Sequence, residues 1–286
     1  MQVDFMIIGA QKCGTTTLSK ILQHHPGVVC CDEKEPHFFS ETDDWRSHID
    51  EYHAMFPQKS GVKYFEASTT YTFYPYRNLH IWDDIYTYNP EMKFIYLVRN
   101  PYDRIVSSYM HAYEKGHTDN TFEEALIFDR FHTEITRYYT QIYPYIKKFG
   151  AEQVLLIEFD EFIHHRQRVM RQVSNFLELD FTLFPAFEEV HANKSVGGRK
   201  IHHKYDSPPI YLKAVRKFLP SLWNKITDNA DRAFYEKPRL EESHKELISN
   251  FLRLDIIELQ KLMNRDLSHW LKGIEPLAQP VRLSNN

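Results

Sequence analysis

The segment from Phe5 to Leu22, FMIIGAQKCGTTTLSKIL, limits the possible folds more than any other part of the chain. The mainly apolar run Val3 to Ile8, which leads into Gly9, is typical of a buried strand, and the residues from Thr15 to His25 have the apolar spacing of a helix. A glycine-rich turn between a strand and a helix directs backbone N–H groups outward at the positive end of the helix dipole. The sequence therefore predicts an anion-binding loop at the edge of a sheet.

The lysine of this loop does not stand where the phosphate loops of nucleoside triphosphatases place it. Those loops read G-x-x-x-x-G-K-[ST], and here Gly9 and Gly14 have that spacing. Thr15 follows the second glycine, however, and the lysine is Lys12, inside the loop. The next clear strand, FIYLV, leads into Arg99 rather than into an aspartate that would hold magnesium. A ligand with a single phosphoryl-sulfuryl group would need such cationic donors but no metal.

The predicted donors of the loop lie in one short stretch. Glycine lets the backbone approach a phosphate closely, threonine hydroxyls add further donors, and lysine adds a point charge. The predicted ligand-binding residues of the loop are Lys12, Cys13, Gly14, Thr15, Thr16 and Thr17.

Strands alternate with helices along the rest of the chain. The predicted strands are Val28–Val29, Lys63–Glu66, Phe94–Val98 and Val154–Ile157, and the predicted helices are Pro101–Tyr113, Phe162–Leu177 and a late helix around Leu247–Leu262. This alternation predicts an α/β fold with a central, mainly parallel sheet that is flanked by helices. No composition shift marks a boundary, so we expect a single domain over residues 1–286.

Composition limits the kinds of partner and the cellular location that are expected for the chain. The formal net charge is -4 and no run of lysine or arginine occurs, which argues against a nucleic-acid partner. The cysteines are Cys13, Cys30 and Cys31, without a C-x-x-C pair, as in proteins of a reducing compartment. No long apolar stretch or secretory leader is present, so the sequence favours a soluble cytoplasmic protein. The histidines do not have the spacing of metal ligands, so no metal site is predicted, and the oligomeric state stays open.

A second candidate anion site follows the strand FIYLV. Arg99 ends this strand, and Ser107 lies in the helix that Pro101 begins. Ligands bind at the carboxyl edge of such sheets, where an arginine fork grips phosphate and a serine adds a hydroxyl. We therefore predict that Arg99 and Ser107 bind an anionic group, and we expect Arg104 to be a surface or ion-pair residue.

These segments resemble the motifs of a known family. GAQKCGTTTL resembles the 5′-phosphosulfate loop of sulfotransferases that use 3′-phosphoadenosine 5′-phosphosulfate (PAPS), and YLVRNPYDRIVSSY resembles their 3′-phosphate motif. KEPHFF, Lys34 to Phe39, resembles the K-E-x-H-F-F element of the branch that contains the heparan sulfate sulfotransferases. The resemblance covers roughly the first 110 residues. It implies a PAPS-dependent sulfotransferase with a fold like that of P-loop proteins, in which Arg99 and Ser107 bind the 3′-phosphate.

Sulfuryl transfer needs a base, donors that stabilise charge on the transferred group, and aligned partners. We predict Glu35 as the base, as the resemblance also implies, with His37 as the alternative because histidine titrates near neutral pH. Lys12 is the predicted charge-stabilising residue, and Lys34 is expected to contact the sulfuryl group or to position the loop.

The acceptor side departs from the heparan sulfate branch. Ser40 stands where many of those enzymes have aspartate, and their E-K-T-P segment appears as EAST, Glu66 to Thr69, with Lys63 as a weak replacement for the lost lysine. Glu66 is interpreted either as an acceptor-site residue or as an ion-paired residue at a strand end. The residues predicted to contact the acceptor are Lys34, His37, Phe38, Glu66 and Tyr71, within an aromatic and acidic wall that also contains Glu35, Phe39, Phe73, Tyr74 and Tyr76.

Such a wall favours a small, weakly charged or cationic acceptor, for example a natural product or simple glycoside. A glycosaminoglycan acceptor is the alternative, and O- and N-sulfation both remain open. A P-loop kinase and a nucleotide-binding module without activity are less favoured. The late segment NKSVGGRK resembles the part of the family that folds over PAPS, and the resemblance implies that Arg199 and Lys200 contact the 3′-phosphate side.

Overall fold

The computed structural model of the chain describes residues 1–187, 190 and 237–276. Its centre is a sheet of five parallel strands in the order β2-β3-β1-β4-β5. The strands are β1 Phe5–Gly9, β2 Val28–Cys30, β3 Lys63–Glu66, β4 Lys93–Val98 and β5 Val154–Glu158. The predicted α/β class and parallel sheet are therefore confirmed.

Helices surround this sheet. The described α-helices, labelled here in chain order, are α1 Thr15–Gln23, α2 Phe38–Glu41, α3 Ile49–Ala54, α4 Ile81–Tyr88, α5 Pro101–Glu114, α6 Phe122–Ile127, α7 Phe131–Glu134, α8 Tyr138–Phe149, α9 Phe159–His164, α10 Arg166–Leu177 and α11 Glu242–Met263. Short 3₁₀ helices span Thr69–Thr72, Ala151–Gln153, Phe181–Leu183 and Ser268–Trp270. Among the helices in the described ranges, none is both long enough and apolar enough to cross a membrane.

Strand β1 lies in the middle of the sheet, and all its residues are buried. It begins at Phe5 rather than at Val3, and just before it the carboxylate of Asp4 accepts a hydrogen bond from the backbone N–H of Tyr64 at 2.7 Å. Phe5 pairs with Phe65 on one side and with Lys93 on the other. All five strands point the same way, so the loops that follow them meet at one edge of the sheet.

The predicted helix Phe162–Leu177 is two helices, α9 and α10, separated at His165. His165 has a φ of -129° and a ψ of 45°, outside the helical range, and the buried Arg166 that follows donates to the carbonyls of Phe187 at 3.3 Å and Val190 at 3.1 Å. Helical periodicity does not detect such a break, since both pieces keep their apolar face toward the sheet.

Candidate active site

The loop between β1 and α1 closes on itself and leaves donors outward. The N–H of Cys13 donates to the carbonyl of Ala10 at 3.1 Å, and helix α1 begins without a side-chain cap at Gly14. The backbone N–H groups of Thr15 and Thr16 have no partner in the described part of the chain. Uncapped N–H groups at a helix start are suited to bind an anion.

The two glycines of the loop are required by internal packing. A Cβ at Gly14, whose φ is +90°, would lie 2.9 Å from the ring of Phe159, and a Cβ at Gly9 would lie 2.4 Å from Oγ1 of Thr72. The sequence interpretation attributed both glycines to a close approach by phosphate. The structure gives a different reason, because contacts from β5–α9 and the 3₁₀ helix already fill the space.

The side chains of the loop divide into buried and accessible ones. The thiol of Cys13 is buried, and burial raises its pKa to about 11, so Cys13 presents only its backbone to a ligand. Thr15 is also buried, whereas Thr16 and Thr17 are half-buried. Lys12 is half-buried at a φ of +69°, and burial lowers the pKa of its ammonium group.

Arg99 lies against this loop. Its guanidinium donates to the carbonyl of Lys12 at 3.4 Å, stacks on the ring of Phe159 at 4.8 Å, and lies 3.6 Å from the carboxylate of Asp103. The Nε atom of Arg99 is buried and has no hydrogen-bond partner among the described residues. A buried guanidinium nitrogen without a partner suits a residue that binds an anion.

The serine that contacts the loop is Ser108, the neighbour of the predicted one. The hydroxyl of Ser108 donates to Oε1 of Gln11 at 3.2 Å and lies 2.9 Å from Nδ1 of His132. Ser107 is half-buried on α5 and has no hydrogen bond to the loop within the described ranges. One residue along a helix is a rotation of 100°, so motif spacing alone does not decide which serine faces the loop.

The expectation for Arg104 was wrong, because this residue is fully buried. Its guanidinium donates to the carbonyl of Gln11 at 3.1 Å, to that of His132 at 2.9 Å, and to the hydroxyl of Thr136 at 2.9 Å. Arg104 therefore joins the phosphate loop to α7 and the turn after it. A buried arginine that satisfies backbone carbonyls has no sequence signature.

Glu35 and His37 both have a left-handed backbone, with φ values of +57° and +56°. One carboxylate oxygen of Glu35 accepts a hydrogen bond from Thr69 at 3.1 Å, and the same oxygen lies 4.0 Å from Nε2 of His37. The other oxygen lies 4.0 Å from the ammonium group of the exposed Lys34. Non-glycine residues seldom adopt this strained backbone conformation, and those that do are often found at functional sites.

His37 is oriented by a network of hydroxyls. Its Nδ1 lies 2.8 Å from Oγ1 of Thr70, and its backbone N–H donates to Ser68 at 3.1 Å. Ser40 lies 2.7 Å from the same Thr70 oxygen and donates to the carbonyl of His37 at 2.9 Å. Ser40 thus has a structural role at the position where many enzymes of the heparan sulfate branch carry aspartate.

Glu66 meets neither of its two predicted roles. It is fully buried and accepts hydrogen bonds of 2.6 Å each from Tyr52, Tyr71 and Ser68, and no cationic side chain of the described residues pairs with its carboxylate. Burial raises the pKa of this carboxyl group above its usual value. Ser68, which donates to Glu66, also accepts a hydrogen bond from the backbone of His37. The buried Glu66 therefore supports the segment that carries Glu35 and His37.

Three other acceptor-side expectations are corrected by burial and position. Tyr71 and Phe38 are buried, Phe38 stacks on Tyr52 with ring centroids 4.3 Å apart, and neither is among the described residues that line the cleft described next. Lys63 is at the amino end of β3, where its ammonium group lies 3.6 Å from Glu178. It is therefore at the wrong edge of the sheet to replace the missing lysine.

A cleft of about 570 Å³ opens beside Glu35 and the phosphate loop. It is lined by Gln11, Glu35, His37, Glu41, Thr69, Thr70, Phe73, Tyr76, Arg77, Ser108, His111, Ala112, His117, Thr118, Asp129, Phe131 and His132. Of the predicted wall, Glu35, His37, Phe73 and Tyr76 line the cleft. Tyr74 instead packs near Trp82, with ring centroids 5.9 Å apart.

Comparison with known proteins identifies the family that has this loop and cleft. The sulfotransferase domain family matches residues 2–196. The chain belongs to the sulfotransferase family. The family and enzyme class expected from the motifs are thereby confirmed, and with them PAPS as the sulfuryl donor of the family.

Curated relatives match part of the chain. It is 29% identical over 191 residues to heparan sulfate glucosamine 3-O-sulfotransferase 5 of Mus musculus, covering 61% of this chain and 53% of that protein. It is 25% identical over 193 residues to the bifunctional heparan sulfate N-deacetylase/N-sulfotransferase 1 of Caenorhabditis elegans, covering 62% of this chain and 22% of that protein. The chain thus spans about half the length of the mouse relative.

A solved structure shares the fold over nearly the whole chain. The sulfotransferase from Alicyclobacillus acidocaldarius is 24% identical, with a TM-score of 0.68, over 94% of this chain and 99% of that one. The match confirms the fold that the motif resemblance implied.

Among the cleft histidines, the sequence indicated His37 but not His111 or His132. Burial, with the nearby charge of Lys12, lowers the pKa of His111 to about 4, and burial with the charge of Arg104 lowers that of His132 to about 4. Both imidazoles are therefore neutral near pH 7. They lie on α5 and α7, outside every recognised motif, and only the tertiary arrangement brings them to the cleft.

Arg199 and Lys200 fall outside the described residues, as does the rest of the segment NKSVGGRK. Within the ranges that are described, no group of three or more His, Cys, Asp or Glu is placed to hold a metal ion.

Proposed function

We propose that this sulfotransferase transfers a sulfuryl group from PAPS to a hydroxyl or amine of a small acceptor that binds in the cleft. The observation that carries the proposal is that Gln11 of the phosphate loop and Glu35 line the same cleft. A donor on the loop and an acceptor in the cleft would therefore meet beside a carboxylate.

The donor site is proposed from the groups that the loop exposes. PAPS supplies an activated sulfuryl group and leaves as 3′-phosphoadenosine 5′-phosphate. The N–H groups of Thr15 and Thr16 and the ammonium group of Lys12 would bind its 5′ end, and Arg99 its 3′-phosphate. Partial burial of Lys12 strengthens its attraction for an anion, because water screens the charge less there. Gly14, Thr17, Ser107, Arg199 and Lys200 remain proposed donor-site residues, and Cys13 is proposed only through its backbone.

The base is proposed to be Glu35. Its carboxylate lies in the cleft and is held by the hydroxyl of Thr69, which leaves the remaining lone pairs for an acceptor proton. His37 is the alternative base, but Thr70 binds its Nδ1 and its Nε2 faces Glu35 at 4.0 Å. This arrangement suits an imidazole that holds Glu35 in place.

A small acceptor is supported by the composition of the cleft. Its acidic residues are Glu35, Glu41 and Asp129, and the one arginine among its lining residues, Arg77, lies 3.4 Å from the carboxylate of Glu41. A polyanion would meet repulsion in such a cleft. Hydroxylated or cationic molecules fit both the carboxylates and the exposed ring of Tyr76.

A polysaccharide acceptor is the second candidate, because the mouse and worm relatives are named for heparan sulfate and because KEPHFF resembles their motif. The test offers radiolabelled PAPS with a panel of small phenols, alcohols and amino alcohols in parallel with desulfated heparan chains. Transfer to small molecules at the higher kcat/KM supports the proposal. Faster transfer to the polymer establishes the second candidate, and binding of 3′-phosphoadenosine 5′-phosphate without any transfer overturns the enzymatic function.

A further inference from the structure

His132 is a lining residue of the cleft, and its ring carries a buried nitrogen without a partner among the described residues. The residue is 2% exposed, and it lines the cleft together with Ser108 and Phe131. Its Nδ1 lies 2.9 Å from the hydroxyl of Ser108. Its Nε2 is buried and has no hydrogen-bond partner among the residues that the structure describes. Buried ring nitrogens are seldom left in this state without a functional reason.

The hydrogen bonds of Ser108 indicate that Nε2 of His132 is a hydrogen-bond acceptor. The hydroxyl of Ser108 donates to Oε1 of Gln11 at 3.2 Å, so its oxygen accepts the hydrogen of Nδ1 of His132. Nε2 then carries a lone pair and is an acceptor. The low pKa of His132, about 4, keeps the ring neutral, since burial and the charge of Arg104 both oppose protonation and only Asp129 favours it.

The position of the ring is fixed by its backbone. The carbonyl of His132 accepts hydrogen bonds from Arg104 at 2.9 Å and from Thr136 at 2.6 Å. Arg104 also binds the carbonyl of Gln11, so His132 and the phosphate loop are held by one guanidinium. A group fixed in this way can impose an orientation on a ligand.

Aromatic rings of the cleft lie next to this acceptor. The ring of Phe131 is 5.5 Å from that of His132, and it packs edge-on against Phe73 at 5.3 Å and Tyr76 at 5.1 Å. All four residues line the cleft. We call Phe73, Tyr76 and Phe131 the ring shelf.

We propose that His132 is an acceptor-binding residue whose Nε2 accepts a hydrogen bond from a second O–H or N–H group of the acceptor, while a ring of that acceptor packs on the ring shelf. This inference rests on the proposed function. The acceptor class that it defines is a compact ring compound with two polar hydrogens, such as a benzenediol or an aminophenol. One polar group is sulfated beside Glu35, and the other is bound by His132.

The test uses a matched pair of variants. His132→Asn keeps a donor toward Ser108 and removes the acceptor in the cleft, whereas His132→Gln places an amide oxygen near the position of Nε2. The probes are the three benzenediols, with phenol as the compound that lacks the second hydroxyl. We expect the wild-type enzyme to favour one diol over phenol by about 10- to 100-fold in kcat/KM, because phenol leaves Nε2 unpaired. His132→Asn should lose this preference, His132→Gln should recover part of it, and the affinity for 3′-phosphoadenosine 5′-phosphate should stay the same in all three proteins.

A second readout does not need turnover. In protein labelled with ¹⁵N-histidine and saturated with 3′-phosphoadenosine 5′-phosphate, the Nε2 signal of His132 should move upfield on addition of the preferred diol and not on addition of phenol. Unchanged discrimination in His132→Asn, or no diol that is either bound or sulfated, overturns the inference. Sulfation of other acceptors in that case leaves the proposed function intact. A shifted Nε2 signal without transfer from PAPS upholds the binding role and overturns the proposed function.

Discussion

Three of the proposed site residues share an unfavourable backbone conformation. Lys12, Glu35 and His37 have φ values of +69°, +57° and +56°. In the described part of the chain the other non-glycine residues with positive φ are Glu178 and Asn264, and each ends a helix, where that conformation is common. Each non-glycine residue in this conformation costs about 1–3 kcal/mol. The surrounding fold must therefore hold these three residues in a conformation that they do not prefer.

Replacement of Lys12 tests the phosphate loop. We expect Lys12→Ala to lower kcat by about 10²–10³ because it removes a charge that stabilises the transition state. The thermal unfolding midpoint should hardly change, since Lys12 has no ion pair among the described residues. Lys20→Ala, which replaces an exposed lysine of the following helix α1, is the control and should retain activity. A near-normal rate for Lys12→Ala at saturating PAPS would remove Lys12 from the mechanism.

Replacement of Glu35 tests the base. Glu35→Gln keeps the shape and the bond from Thr69 but cannot accept a proton, so we expect transfer to be about 10²–10⁴ slower with unchanged binding of 3′-phosphoadenosine 5′-phosphate. Single-turnover transfer and calorimetry measure the two quantities. Glu41→Gln, a second carboxylate of the cleft, is the matched control and should have the smaller effect. An active Glu35→Gln beside an inactive His37→Ala would assign the base to His37.

At the scale of elements, the start of α1 packs against Phe159, the first residue of α9, which follows directly after β5. The ring of Phe159 packs both on Gly14 and on the guanidinium of Arg99. One aromatic side chain therefore joins the two anion-binding segments of the sheet edge.

Gly14→Ala tests this contact. The new Cβ would lie 2.9 Å from the ring of Phe159 at a φ of +90°, so we expect the free energy of unfolding to fall by about 2–4 kcal/mol. Gly61→Ala is a control with the same conformational strain at a φ of +72° but open space around it, and it should cost roughly 1 kcal/mol. Urea unfolding measures both. Equal losses in the two variants would show that Phe159 yields to the added methyl group.

For the whole molecule, the buried His132 links the free energy of unfolding to pH. The pKa of His132 is about 4 in the folded protein, and an unfolded histidine titrates near 6.5. The unfolded chain therefore binds a proton below about pH 6.5 that the folded chain does not bind until about pH 4, so stability is lost as the pH falls through this window.

His132→Gln should remove this share of the acid sensitivity. Between pH 7 and pH 5 we expect the wild-type free energy of unfolding to fall by about 2 kcal/mol more than that of the variant. Urea unfolding at both pH values gives the two differences, in which any constant cost of the substitution cancels. Parallel pH dependences would contradict the burial of a neutral imidazole at this position.

The groups proposed to bind PAPS also predict how turnover responds to a chelator. The proposed donors are backbone N–H groups, hydroxyls, Lys12 and Arg99, all of which bind an anion directly. We therefore expect kcat to be unchanged in excess EDTA, measured by release of 3′-phosphoadenosine 5′-phosphate. Loss of turnover in EDTA that magnesium restores would favour the alternative of a P-loop kinase.

The amino-acid sequence by itself determined the five strands and several of the helices, and it placed the candidate residues of the phosphate loop. The strands β1 and β4, the start of α1 and the positions of Lys12, Glu35 and Arg99 follow from short apolar runs, glycine spacing and motif order. Such features are local, because a strand, a turn and a helix start are each specified by a few consecutive residues.

The tertiary structure alone decided which polar side chains are buried and which are accessible. Glu66 and Arg104 were expected to contact the acceptor, pair with a charge or lie at the surface, but both are in the interior, where tyrosine hydroxyls donate to Glu66 and backbone carbonyls accept from Arg104. The contacts that define the cleft wall join Gln11, Ser108 and His132, residues 24 to 97 positions apart in the chain. The physical reason is that burial and hydrogen bonding depend on the packing of distant segments, which local sequence patterns do not contain.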